Sequence, residues 1–257
     1  MVRNFYKFFC KIYSVIITFF ENKFLKIQNN SESIANDLYK YGYQKINLKN
    51  KIVEKIEEES EIKNNEYIKR IIIERKNLIK ILERIFVDFE LSEMLTSITN
   101  FNYSIDYITY YKTIAISDED KHLQWYANHW HIDQPFSENS LKIIFSLKKI
   151  DNISQGGIQI LDKINSKIFK SLSDQQRYSK SYKMKADETE LVIFNPNTCY
   201  HKAGSINGEY EREQIMIQLN PSKYWQLNSN IYNKQYKIEP KFPFFSYFFD
   251  KKMRLNK

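Results

Sequence analysis

Two histidines and an aspartate occur close together in the segment NHWHIDQPF, as His129, His131 and Asp133, in a chain that has only four histidines. Imidazole nitrogens and carboxylate oxygens are ligands for divalent metal ions. On a strand, residues i and i+2 point to the same side, so His131 and Asp133 could reach one ion. Because a His-x-acid pair occurs easily by chance, a metal site needs a third ligand, and His201 is the histidine that lies far from this cluster.

The segment that follows His201 carries the strongest short hairpin signal in the chain, Asn207-Gly208, because both positions of a type I′ turn need positive φ. A two-residue turn there places Ala203 opposite Arg212, so that Arg212 and His201 share one face of a two-stranded ribbon. A guanidinium in that position would bind the far carboxylate of a small acid held on the same ion. A longer turn would change which residues of the two strands share a face.

Two histidines and one carboxylate on one face of an ion leave the remaining positions open, as in the non-haem Fe(II) oxygenases. Three segments, WHIDQ, LKIIFSLKKIDNISQGGIQIL and ELVIFNPNTCYHKAGSINGEYEREQIMIQLNPS, surround the candidate ligands. Together they resemble the phytanoyl-CoA dioxygenase family of Fe(II)- and 2-oxoglutarate-dependent oxygenases over roughly residues 105–222. The family's His-x-Asp pair, distal histidine and following arginine match His131, Asp133, His201 and Arg212.

This resemblance implies a centre in which His131, Asp133 and His201 bind Fe(II) and Arg212 binds the far carboxylate of 2-oxoglutarate. O₂ is then the second cosubstrate, and succinate and CO₂ are released. No catalytic residue beyond the metal centre is required. In halogenating relatives a small residue replaces the aspartate, so the intact Asp133 implies hydroxylation of a substrate that the sequence does not identify.

The chain departs from the family pattern at two places. Pro-Gly-Ser-His, which often follows the glycine-containing strand, is replaced by Leu161-Asp162-Lys163-Ile164. Many members carry a serine two residues after the distal histidine, where this chain has Ala203. Ser205, which shares the face of Ala203 by the hairpin parity, is the candidate that would bind the cosubstrate carboxylate in its place.

Two other kinds of protein fit parts of the pattern. HWHID matches the start of the zinc signature of metallo-β-lactamase-like hydrolases, in which His129, His131, Asp133 and His201 would bind zinc. Against this alternative, residue 134 is Gln134 where the signature has histidine, and no further histidines remain for a second zinc site. The third possibility is a non-catalytic jelly-roll domain that binds a ligand or partner. The oxygenase is the favoured interpretation.

The surrounding sequence predicts a mainly β fold with flanking helices. Short β-branched and aromatic runs bounded by turn residues lie between residues 101 and 222, as in an antiparallel sandwich or barrel. With the resemblance, this predicts a double-stranded β-helix, the cupin-like jelly roll. Residues 52–94 show helical periodicity with no Gly or Pro to interrupt it. The polar stretch between residues 161 and 190 would be a lid or a surface loop.

We divide the chain into three parts on this basis. Residues 1–30 are a basic, aromatic N-terminal helix, and residues 31–235 are a single oxygenase domain with a helical part (31–97) and the jelly-roll core (101–222). Residues 236–257 are an aromatic and basic tail. The uninterrupted apolar run of residues 12–20 is too short to span a bilayer. We favour packing of this helix on the protein, with peripheral contact to a membrane surface as the alternative.

Composition sets the expected partners and location. The net charge of +8 favours anionic partners, but the lysines are spread along the chain and no Arg-rich helix or zinc-finger spacing occurs, so we expect no nucleic-acid binding. A small-molecule substrate, or one linked to a lipid or a carrier, is the remaining expectation. Two distant cysteines, Cys10 and Cys199, provide no disulfide framework and suit the reducing cytoplasm.

Overall fold

The computed structural model describes residues 2–27, 37–48, 50–53, 56–125, 127–133, 137–236 and 251–255. Its α-helices are α1 (Val2–Phe24), α2 (Asp37–Tyr41), α3 (Arg75–Glu83), α4 (Leu91–Thr99), α5 (Lys163–Lys167), α6 (Asp174–Lys180) and α7 (Ile231–Lys234). A π-helical turn (Arg84–Asp88) joins α3 to α4, and a 3-10 turn (Phe169–Ser171) lies between α5 and α6. The strands are β1 (Tyr43–Asn47), β2 (Glu58–Lys63), β3 (Ile68–Ile73), β4 (Asn102–Thr113), β5 (Leu141–Ser146), β6 (Gln159–Ile160), β7 (Tyr182–Lys183), β8 (Glu190–Phe194), β9 (His201–Lys202), β10 (Arg212–Ser222), β11 (Gln226–Asn228) and β12 (Lys252–Arg254).

The strands form two sheets. The large sheet has the order β1-β8-β5-β10-β4-β11-β12, with β3 also paired to β4 and β2 paired to β3. The small sheet has the order β7-β6-β9. Neighbouring strands run antiparallel, apart from the parallel pair β11–β4. This two-sheet arrangement with helices outside it confirms the predicted jelly-roll class.

The central strand β10 divides the interior through the alternation of its side chains. Ile215 and Ile217 point to a large apolar core that the large sheet shares with α3 and α4, and both are completely buried. Arg212, Gln214 and Met216 point the other way, into a cavity on the side of the small sheet. One face of the large sheet is therefore packed against helices, and the other lines a candidate binding site.

The helical prediction for residues 52–94 is wrong for its first half, which forms the β2–β3 hairpin. Residues 71–73, three consecutive isoleucines, are completely buried, as suits β-branched side chains in a sheet. The turn between the two strands contains neither Gly nor Pro. It is stabilised by the side-chain oxygen of Asn65, which accepts hydrogen bonds from the backbone N–H groups of Tyr67 and Ile68. The second half is helical as predicted, in α3 and α4.

The two-residue hairpin predicted at Asn207-Gly208 does not form. Strand β9 pairs with β6 in the small sheet, whereas β10 pairs with β4 and β5 in the large sheet. Gly208 has positive φ, but Asn207 does not, so a type I′ turn is excluded. The backbone N–H of Asn207 donates to the carbonyl of Ser154, which holds this connection as a crossing between the sheets.

The remaining predictions concern surface segments and chain ends. The polar stretch of residues 161–190 contains α5, α6 and β7, so it is an ordered surface segment. Residues 252–254, in the predicted tail, form β12 of the large sheet, while the aromatic residues 237–250 lie outside the described part of the chain. Within the described residues, no helix has the length and apolar character needed to cross a membrane.

Candidate metal centre

The two histidines of the predicted triad are joined by their backbones. The N–H of His131 donates to the carbonyl of His201, and the N–H of His201 donates to the carbonyl of His131, each at 3.0 Å. The backbone N–H of Asp133 donates to the carbonyl of Pro196 at 2.9 Å. Strand β9 and the segment before it thus position both parts of the His-x-Asp pair, although residue 201 is seventy positions further along the chain.

The side chains of the triad converge on one point. Asp133 Oδ1 lies 3.6 Å from His131 Nε2 and 3.8 Å from His201 Nε2, and the potential ligand atoms of all three lie within 4.8 Å of one another. Ligand atoms about 2.1 Å from a shared ion and at right angles around it are separated by about 3 Å. Side-chain adjustments of about 1 Å would therefore bring the three donors onto one metal ion, and the donor set fits a divalent cation.

Hydrogen bonds fix which nitrogen of each ring faces the centre. The Nδ1 atom of His131 lies 2.8 Å from the carbonyl of His129, and the Nδ1 atom of His201 lies 3.0 Å from the carbonyl of Cys199. Because a carbonyl only accepts, each Nδ1 carries the proton and each Nε2 presents a lone pair. Burial lowers the pKa of His201 to about 3, partly opposed by Asp133, so this ring is neutral at pH 7.

Lys142, on β5, pairs with the second oxygen of Asp133. Burial alone would raise the pKa of Asp133, but the charge of Lys142, followed by the two neighbouring imidazoles, outweighs it and holds the pKa at about 2. The carboxylate is thus ionised at neutral pH and is held at Oδ2, which leaves Oδ1 directed toward the imidazoles. The sequence prediction missed Lys142, although a lysine inside the buried run LKIIFS is an unusual residue at such a position.

Arg212, the first residue of β10, lines the same cavity as the triad and is only 2% exposed. Its guanidinium donates to the carbonyl of Gly156 and, at 3.4 Å, to Oγ1 of Thr113. Gly156 has φ +79°, and a Cβ at this position would lie 2.5 Å from Ile206 and 3.3 Å from Nη1 of Arg212. A side chain at residue 156 would therefore clash with Ile206 and crowd the guanidinium, and the positive φ also favours glycine there.

The cavity has a volume of about 580 Å³. Apolar side chains, among them Ile144, Ile158, Phe194 and Met216, form part of its wall. Basic side chains outnumber acidic ones in the cavity wall. The described residues that line the cavity include four basic side chains and one carboxylate, Asp133. The basic residues are Arg70, Lys142, Lys202 and Arg212.

Ser205, the candidate for binding the cosubstrate carboxylate, and His129, a ligand only in the zinc alternative, do not line this cavity. His129 is exposed, and its Nε2 atom lies 3.1 Å from the carbonyl of Leu123. Ser205 is also exposed and, with His129, lines a separate cavity of about 400 Å³. The four-ligand zinc arrangement considered from the sequence is therefore not assembled, because His129 lies outside the group formed by the other three residues.

The two-sheet fold is a jelly roll, and it is similar to the fold of solved non-heme alpha ketoglutarate dependent enzymes. A solved structure with this fold is the non-heme alpha ketoglutarate dependent epimerase SnoN from nogalamycin biosynthesis, with a TM-score of 0.50 and 10% identity over 72% of this chain and 79% of that one. SnoN in complex with Fe3+, alpha ketoglutarate and nogalamycin RO gives a TM-score of 0.50 and 9% identity, over 72% and 80% of the two chains. HygX from Streptomyces hygroscopicus with nickel and 2-oxoglutarate bound gives a TM-score of 0.47 and 8% identity, over 73% and 86%.

The similarity is one of structure. No protein-family model matches the chain, and no curated protein matches it. The resemblance noted from the sequence is therefore confirmed at the level of the fold and of the grouped His131, Asp133 and His201 side chains.

Proposed function

We propose that the chain is an Fe(II)- and 2-oxoglutarate-dependent oxygenase in which His131, Asp133 and His201 bind the iron. The observation that carries this proposal is the convergence of two Nε2 atoms and one carboxylate oxygen in a cavity that also contains the Arg212 guanidinium. Bound Fe(II) and 2-oxoglutarate would supply O₂ activation coupled to release of succinate and CO₂, with hydroxylation of a substrate C–H bond.

The protein's own residues would bind and orient the reactants. Arg212 would bind the 5-carboxylate of 2-oxoglutarate, and its guanidinium is already positioned by Gly156 and Thr113, so little side-chain entropy is lost on binding. Lys142 would hold Oδ2 of Asp133 and so favour binding of the iron through one carboxylate oxygen. The apolar part of the wall would limit the access of water to the reacting atoms.

The function is tested by anaerobic reconstitution with Fe(II) and 2-oxoglutarate. We expect a weak visible charge-transfer band, and succinate release on admission of O₂ in the presence of a panel of candidate substrates. Asp133→Ala should remove both signals, whereas Asp151→Ala, at an exposed aspartate paired with Lys149, should keep them. Full activity of a folded Asp133→Ala variant would show that the assigned centre is wrong.

The charge of the cavity wall supports an anionic substrate. If Arg212 is occupied by the cosubstrate and Lys142 is paired with Asp133, Lys202 still supplies positive charge to the remaining volume. We therefore propose that the substrate carries a carboxylate or phosphate, as a free small molecule or as one linked to a lipid or carrier.

Matched pairs of compounds test this substrate class. Within each carboxylic acid and its primary amide, the acid should give the larger substrate-dependent increase in succinate release. Lys202→Gln should reduce that preference, whereas Lys69→Gln, at an exposed lysine paired with Glu61 on the neighbouring strand, should leave it unchanged. A consistent preference for the amides would exclude an anionic substrate without affecting the assignment of the metal centre.

The two cysteines favour a reducing location, and we propose the cytoplasm. Both Cys10 and Cys199 are free and buried. Burial raises the pKa of Cys199 to about 12, so this thiol is neutral and unreactive although it lies two residues before His201.

A further inference from the structure

Helix α1 turns its apolar side toward solvent. Among the side chains described in this helix, eight large apolar ones are exposed, and they recur at the three- and four-residue spacings that define one side of a helix: Phe8, Phe9, Ile12, Val15, Ile16, Phe19, Phe20 and Phe24. Val15 and Phe19 are each 61% exposed. Isolated exposed apolar residues are normal on a protein surface, but a continuous stripe of this length on one helix indicates an interaction surface.

The opposite side of α1 packs on the domain through polar groups. Thr18 accepts a hydrogen bond from the backbone N–H of Glu138 at 2.9 Å, and Glu21, only 3% exposed, accepts one from the side chain of Asn139 at 3.1 Å. Cys10 is buried on the same side. The outward direction of the apolar stripe is thus fixed by specific contacts on the other side of the helix.

The charges of α1 indicate which partner fits the stripe. Glu21 is the only acidic residue in the helix, and it is buried away from the stripe. Lys11 and Lys23 are exposed, and the sequence adds Arg3 and Lys7 near the start of the helix. Basic residues beside an aromatic and aliphatic face are the features of a helix that lies in the surface of an anionic bilayer. A second copy of the chain would instead bring two basic helices together without an acidic residue on either facing side.

We propose that α1 docks the protein on an anionic membrane surface, with its apolar stripe among the lipids and its lysines among the headgroups. The helix lies in the membrane plane in this arrangement and remains attached to the domain through Thr18 and Glu21. This proposal is independent of the metal centre, because it depends on neither iron nor a substrate.

Vesicle sedimentation with the full-length protein tests the proposal. The probes are phosphatidylcholine vesicles and vesicles in which a third of the lipid is phosphatidylserine. We expect binding to the anionic vesicles that weakens with salt. The double variant Val15→Gln/Phe19→Gln should reduce partitioning into the vesicles at least about tenfold, because glutamine gains little free energy from burial in the bilayer compared with valine or phenylalanine.

A matched pair provides the control. Ile164→Gln/Ile168→Gln removes two exposed apolar side chains at the same four-residue spacing on α5 and its end, 63% and 47% exposed, and should leave vesicle binding unchanged. Lys11→Gln/Lys23→Gln should reduce the preference for phosphatidylserine, to which Arg3 and Lys7 still contribute. Absence of wild-type binding, or equal binding of the Val15→Gln/Phe19→Gln variant, would overturn the proposal. So would a dimer, detected by light scattering, that this variant disrupts.

Discussion

Removal of the Arg212 side chain should weaken 2-oxoglutarate binding without removing the metal. The guanidinium is almost fully buried and lines the same cavity as the triad, and a carboxylate there would accept two charge-assisted hydrogen bonds from it. Hydrogen bonds to charged groups contribute about 1.5–3 kcal/mol each. Loss of the pair should therefore cost roughly 3 kcal/mol or more, which corresponds to a hundredfold or greater increase in Kd.

The measurement is anaerobic calorimetric titration of 2-oxoglutarate into the protein loaded with Ni(II), which avoids turnover. Arg212→Ala should show the full loss of affinity, and Arg212→Lys a partial one, because an ammonium keeps the charge but cannot donate in fork geometry. Arg177→Ala is the matched control, since Arg177 pairs with Asp174 on α6 and does not line the cavity.

The thermal midpoint and the Ni(II) affinity of each variant must be measured as well. Arg212→Ala leaves the carbonyl of Gly156 and the hydroxyl of Thr113 without this donor, so some destabilisation is expected. A variant that remains folded, binds Ni(II) as the wild type does and also binds 2-oxoglutarate with wild-type affinity would refute the role assigned to Arg212.

Three further predictions concern stability. Gly156→Ala should lower the free energy of unfolding by about 2 kcal/mol or more in urea titrations, because the positive φ and the contact with Ile206 both oppose a Cβ atom. Gly208→Ala is the control, since this residue also has positive φ but has open space around it, and it should lower the free energy of unfolding by about 1 kcal/mol. Asn65→Ala should cost roughly 1–2 kcal/mol by removing the two turn hydrogen bonds before β3, and a loss near zero would contradict that account. Burial raises the pKa of Glu21 from 4.5 to about 7, although hydrogen bonds from Ser137 and Asn139 oppose this shift. The stability that the protonated Glu21 side chain contributes is therefore full below about pH 4.5 and is lost as the pH rises through about 7. Glu21→Gln should remove this pH-dependent loss of stability, which amounts to at most about 3 kcal/mol. The measurement is the rate at which maleimide labels the buried Cys10 thiol, and the variant should be protected more strongly than the wild type at pH 8 than at pH 6. A ratio of the two labelling rates that stays constant between these pH values would contradict the prediction.

The triad could be predicted from sequence because so few residues were available to form it. With four histidines in the chain, a His-x-Asp pair and one distant histidine left little choice, and the structure groups His131, Asp133 and His201. Arg212 reaches the cavity although the hairpin used to place it does not form. Strands β9 and β10 belong to different sheets that face each other across the cavity. His201 and Arg212 therefore point into the same cavity from two facing sheets, and not from one face of a two-stranded hairpin.

The missed features depend on contacts that are distant in sequence. Periodicity could not show that residues 68–71 form a strand paired with β4, because the turn before this strand uses an asparagine side chain where Gly or Pro would be expected. Lys142 was missed because the sequence does not show that β5 brings its side chain to Asp133 in the candidate metal centre. For α1, an apolar stripe predicts the side that packs on the protein in most helices, whereas here the stripe faces outward and Glu21 lies on the packed side.

The alternation along β10 has a consequence for how this protein can change. Arg212, Gln214 and Met216 can be replaced by other residues without altering the helix-packed core, since the strand contributes Ile215, Ile217 and Leu219 to that core. Substitution at these positions can thus alter ligand preference while the apolar core shared with α3 and α4 is kept. An insertion or deletion of one residue within the strand would instead exchange the two sides, exposing isoleucines to the cavity and driving a guanidinium into the core. Tolerance of single-residue length changes there should be far lower than tolerance of substitutions.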